Sequence, residues 1–87
     1  MHRPQAITQA VILAGGRGTR LYPLTTHTPK PMLPFWDKPF LHHLIEILKT
    51  NGIGEVILLV GYLHQNIEEY FGDGKRFGVS IRYSYCP

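Results

Sequence analysis

The sequence predicts an α/β protein with a Rossmann-like parallel sheet and flanking helices, of which 87 residues supply only the first β-α-β-α-β part. Three observations predict it: two short runs that are apolar without a break, an amphipathic segment between them, and a glycine pair that closes the first run. Strands alternating with helices imply right-handed crossovers and a parallel sheet. In a complete domain of this kind the sheet lies between two helical layers.

The first run is Ala10-Val11-Ile12-Leu13-Ala14, which reads as a strand covered on both faces, and Gly15-Gly16 stops it. A proline-rich stretch follows, with Pro23, Pro29, Pro31, Pro34 and Pro39, and predicts a long ordered loop rather than a helix. Leu41, Leu44, Ile45 and Leu48 then recur at i, i+3, i+4 and i+7. With Pro39 suited to a first helical turn and Asn51-Gly52 to the exit, the spacing predicts a helix over roughly 39 to 50. Val56 to Val60 is the second apolar strand, bounded by Gly54 and Gly61. Leu63, Ile67, Tyr70 and Phe71 mark a short helix closed by Gly72-Asp73-Gly74. Finally Val79, Ile81, Tyr83 and Tyr85 alternate with Ser80, Arg82 and Ser84, the period of a strand with one more polar face.

Composition narrows the function. With 44% hydrophobic and 17% charged residues, the chain is not a disordered charged tail, and no apolar run approaches the roughly 20 residues of a spanning helix. No signal peptide is visible, so a cytoplasmic location is the default expectation. The single cysteine, Cys86, has no partner for an internal disulfide. The net charge of +3 is uneven: residues 1 to 40 carry Arg3, Arg17, Arg20, Lys30 and Lys38 against Asp37 alone. Without a basic block or interleaved aromatics, neither nucleic acid nor a membrane is an expected partner, and a small anion fits better.

The glycines say where that anion would sit. Ligands of parallel α/β sheets bind beyond the carboxyl ends of the strands, and glycines there let main-chain N–H groups close on phosphate oxygens. Gly16-Arg17-Gly18-Thr19-Arg20-Leu21 lacks the third glycine of the dinucleotide fingerprint, and no P-loop spacing is present. Arg20 follows the last glycine closely enough for its guanidinium to hold the same phosphates. Lys30 stands between Pro29 and Pro31, whose rings restrict the backbone on both sides of the ammonium-bearing residue. Arg17 occupies the variable position of the loop and could equally face solvent. His42 and Glu46, four apart on the predicted helix, read as a polar face rather than a metal site, and Phe35-Trp36 as an apolar plug beneath the proline loop.

Gly15-Gly16-Arg17-Gly18-Thr19-Arg20-Leu21, Pro23-Leu24-Thr25 and Pro29-Lys30-Pro31-Met32-Leu33-Pro34 together resemble the signature of the sugar-1-phosphate nucleotidyltransferases, the nucleotide-sugar pyrophosphorylases. The resemblance covers essentially the whole chain but only the N-terminal part of a family domain. It implies transfer of a nucleoside monophosphate from a nucleoside triphosphate to a sugar 1-phosphate, giving a nucleoside-diphosphate sugar and pyrophosphate. Carried over, it implies that Leu13, Ala14, Gly15 and Gly16 line the nucleotide site and that Gly18 and Thr19 cradle phosphates through main-chain N–H groups. Arg20 would stabilise the triphosphate and the leaving pyrophosphate, and Lys30 would hold the α-phosphate or the incoming sugar phosphate. It also implies Mg²⁺, with ligand aspartates expected outside this chain, so residues 1–87 are read as the nucleotide-binding half of a larger domain, inactive alone. Two other readings stay open: a non-catalytic nucleotide-binding or regulatory module on the same fold, and transfer to another acceptor such as phosphocholine. A chain complete at this length would need its sheet edge covered in a homo-oligomer.

Overall fold

The structure, a computed structural model, describes residues 7–15 and 27–85. Its centre is a parallel sheet of three strands, β1 (Gln9–Ala14), β4 (Glu55–Val60) and β5 (Ser80–Tyr85), in the order β1-β4-β5. Ala10, Ile12 and Ala14 stand opposite Val56, Leu58 and Val60, which in turn stand opposite Ile81, Tyr83 and Tyr85. This register puts one row of side chains from each strand on a common face. That face meets Leu41 and Ile45 of α1 (Phe40–Thr50) and Ile67 and Phe71 of α2 (His64–Phe71) in one buried cluster.

The helix α1 begins one residue inside the expected start because Pro39, with ψ 145°, is its cap and not its first turn. At the other end the Asn51 N–H and the Asn51 side-chain amide both donate to the Ile47 carbonyl, and Gly52 takes φ +87° to turn the chain. No helix among the described residues is long and apolar enough to cross a membrane.

Both helices lie on the same side of the sheet. The order β1-β4-β5 steps twice in one direction, and right-handed crossovers taken in one direction deposit their helices on one face. The expectation that β1 is covered on both faces is therefore corrected for this chain. On the open face Val11 is 57% exposed and Leu13 is 81% exposed, with Ile57 and Leu59 half-buried beside them.

The proline-rich segment also holds more structure than a plain loop. Lys30–Met32 form one turn of 3-10 helix. Next, β2 (Pro34–Phe35) and β3 (Lys38–Pro39) make a small antiparallel hairpin. Trp36 sits in its turn at φ +63° and is 87% exposed, so the predicted plug is not formed. A two-residue turn needs positive φ, which throws the indole off the tip; only Phe35 turns back, edge-on to Phe40 and His43.

The polar face of α1 is tied to α2 by a chain of hydrogen bonds. The Tyr70 hydroxyl lies 2.8 Å from His42 Nδ1, and His42 Nε2 lies 2.9 Å from Glu46 Oε1, which also accepts from Lys38 Nζ at 2.5 Å. A carboxylate can only accept, so His42 carries its proton on Nε2 and Nδ1 accepts from the tyrosine. Burial pushes the His42 pKa below its ordinary 6.5, although Glu46 pulls it the other way. The unfolded chain then takes up this proton first as pH falls. The stability contribution is thus fully present above about pH 6.5 and is lost below it, through the lower folded value. Urea midpoints should fall between about pH 7.5 and about pH 5.5, and by less in His42→Phe; an equal fall in both proteins would refute the assignment.

Candidate functional site

The carboxyl ends of β1 and β4 lie side by side, with Ala14 paired to Val60 and Gly15 against Gly61. A Cβ on Gly15 would sit 3.4 Å from the Gly61 nitrogen and 3.5 Å from the Leu59 carbonyl oxygen, so the chain leaves the sheet flush with its neighbour. Ala14 is buried against the helical layer, while the preceding Leu13 projects from the open face, because successive strand residues alternate.

Lys30 is carried to this end by the proline segment. Pro29 is completely buried and holds the segment down. Its carbonyl accepts from the Met32 N–H at 2.9 Å, and the Lys30 carbonyl accepts from the Leu33 N–H at 3.1 Å. The Phe40 N–H donates to the Leu33 carbonyl, and the Asn66 amide donates to the His27 carbonyl, fastening the segment to both helices. The Lys30 side chain is exposed and borders a cavity of about 330 Å³, together with Leu13, Ala14, Phe40, Leu41 and Leu44. No carboxylate among the described residues pairs with Lys30.

Of the predicted site residues, the structure brings Leu13, Ala14 and Lys30 to one cavity and puts Gly15 at the adjoining strand tip. Gly16, Gly18, Thr19 and Arg20 lie outside the described residues, as do Arg17 and Cys86. Sequence reasoning missed the apolar floor made by Phe40, Leu41 and Leu44. Leu41 and Leu44 were legible as a core stripe, but nothing in a helical period tells which part of the stripe borders a ligand cavity. Asp37 lies in the hairpin turn, and Asp73 Oδ1 accepts from the Lys75 N–H at 3.0 Å, so neither acid belongs to the Lys30 cavity. Among the described residues no three His, Cys, Asp or Glu side chains could hold a metal ion together.

The profile of the nucleotidyl transferase family matches residues 9–87. A D-glycero-α-D-manno-heptose 1-phosphate guanylyltransferase of Campylobacter jejuni is 53% identical over 76 residues, which are 87% of this chain and 34% of that protein. A Bacillus anthracis chain assigned as a glucose-1-phosphate thymidylyltransferase, solved with sucrose, superposes with a TM-score of 0.86 at 34% identity, over 94% of this chain and 33% of its own. A CTP:phosphocholine cytidylyltransferase of Streptococcus pneumoniae superposes at 0.73 with 39% identity, over 87% of this chain and 32% of its own. The chain spans about a fifth to a third of the curated relatives it matches.

Proposed function

The chain belongs to the nucleotidyl transferase family, and from that premise we propose that it is the nucleotide-binding part of an enzyme that moves a nucleoside monophosphate from a nucleoside triphosphate to a sugar 1-phosphate. A phosphate oxygen of the sugar phosphate attacks the α-phosphorus in line. The bond from that phosphorus to the bridging oxygen breaks, and pyrophosphate leaves with the electron pair. Catalysis of such a step is chiefly alignment of two anions and neutralisation of charge on the leaving group. The observation that carries the reading is Lys30, without a carboxylate partner among the described residues, on a segment anchored through buried Pro29 at the cavity beside Leu13 and Ala14.

In this reading Leu13, Ala14, Gly15 and Gly16 receive the nucleoside, and the main-chain N–H groups of Gly18 and Thr19 take the phosphates. Arg20 would stabilise the triphosphate and the leaving pyrophosphate, and Lys30 would hold the α-phosphate or the incoming sugar phosphate. The described acids do not fit a Mg²⁺ site at Lys30, and the ligands of the ion would come from other residues. The apolar open face around Val11 and Leu13 supports residues 1–87 being one part of a larger domain, whose further layer would cover it, with a partner copy in a homo-oligomer as the other cover. In this reading the protein works in the cytoplasm.

The likeness to a phosphocholine cytidylyltransferase favours one second reading, a phosphorylated acceptor other than a sugar. Purified full-length protein with Mg²⁺, a panel of nucleoside triphosphates, and either sugar 1-phosphates or phosphocholine should release pyrophosphate only when both substrates are present. Residues 1–87 alone should release none. Silence of the full-length protein with every pair would overturn the proposal.

A further inference from the structure

A second concavity, of about 560 Å³, runs along the outer side of the helical layer between α1, α2 and the 3-10 turn Lys75–Phe77. It shares no lining residue with the Lys30 cavity. Its size is that of a small-molecule site. Its charge is positive once partners are counted. Glu46, the one acid lining it, is already engaged by Lys38 and His42. Lys49 and Arg76, which also line it, have no carboxylate partner among the described residues.

One of the two cations is also held. Arg76 donates from Nη2 to the Tyr70 carbonyl at 2.6 Å, and its guanidinium lies 4.9 Å from the Phe77 ring centroid. One bond to a carbonyl leaves most of its five N–H donors unspent. The Lys49 ammonium rests against Gly78, in space that a Cβ there would occupy. Gly78 takes φ +75°, so a side chain at that position would be both strained and in the way. Holding the Arg76 guanidinium before a ligand arrives lowers the entropy lost on binding.

We propose that this groove is a second ligand site, for a small phosphorylated molecule whose phosphoryl group is bound by Lys49 and Arg76. Thr50 adds no donor, since its hydroxyl donates to the Glu46 carbonyl at 2.9 Å, and His42 is spent on Tyr70 and Glu46. Recognition therefore rests on the two cations, with the rings of Tyr70 and Phe77 as the apolar wall. The opposite side of α1 carries Leu41 and Leu44 into the Lys30 cavity, so one helix borders both places. A regulatory use of the groove rests on the function proposed above; binding itself does not.

Inorganic phosphate and pyrophosphate are titrated calorimetrically into full-length protein carrying both Arg20→Ala and Lys30→Ala, which removes the two cations of the strand-tip site and leaves those of the groove. One site should remain, and adding Lys49→Gln or Arg76→Gln should weaken it at least about tenfold, the scale of one lost charge-assisted contact. Lys49→Gln alters only an exposed side chain, so a folding defect in the Arg76 variant leaves that arm intact. Absence of the remaining site, or affinity unchanged by Lys49→Gln, overturns the proposal. Groove binding in a protein that never releases pyrophosphate would instead overturn the catalytic reading alone.

Discussion

Replacing Lys30 by alanine in the full-length protein should lower turnover by about 100-fold or more, and Arg20→Ala should do the same. The lysine is placed by covalent geometry rather than by a salt bridge. Buried Pro29 precedes it, Pro31 follows it, and two main-chain hydrogen bonds close the turn that it opens. In the proposed role the ammonium would meet charge that grows on the phosphates as the bond breaks, which would make it worth more in the transition state than in the bound substrate. The loss should therefore fall on kcat more than on KM. Arginine at position 30 should restore little, because a planar fork cannot occupy the place of a compact ammonium. Pyrophosphate release under saturating substrates measures the effect, with circular dichroism to show that the fold persists. Near-normal rates in both alanine variants would remove the catalytic assignment of these two cations.

Leu58→Ala should destabilise the protein by about 2–5 kcal/mol. Leu58 is fully buried at the middle of the central strand, paired to Ile12 on one side and Tyr83 on the other, beneath both helices. A cavity there is walled by the sheet on three sides and cannot collapse without moving α1 or α2, which puts the cost in the upper part of that range. Ile47→Ala, on the outward side of α1 where the side chain is 57% exposed, should cost less than about 1 kcal/mol. Urea midpoints of the two variants measure the contrast. Equal losses would mean that the sheet face described here is not the core.

The strands and helices were legible because each announces itself within a few residues. The apolar runs at Ala10–Ala14 and Val56–Val60 and the i, i+3, i+4, i+7 spacing of Leu41, Leu44, Ile45 and Leu48 place β1, β4 and α1 to within a residue or two. The 3-10 turn at Lys75–Phe77 and the hairpin after Pro34 carry no such period, and neither was anticipated. An unbroken apolar run speaks for burial on both faces, and within this chain only one face of β1 is covered. Trp36 misled for a related reason. Hydrophobic character argues for burial, but the backbone of a two-residue turn decides which way the side chain points.

Residue types alone established the chemistry on offer: glycines at the end of an apolar strand, a guanidinium just after them, and an ammonium between two prolines. Those are properties of adjacent covalent units. Bringing Lys30 to Leu13 and Ala14 from 16 residues further along the chain, setting both helices on one side, and gathering Lys49, Arg76 and Tyr70 around a single groove were decided only in three dimensions. Crossover handedness and strand order act on the chain as a whole, and no short window of sequence carries them.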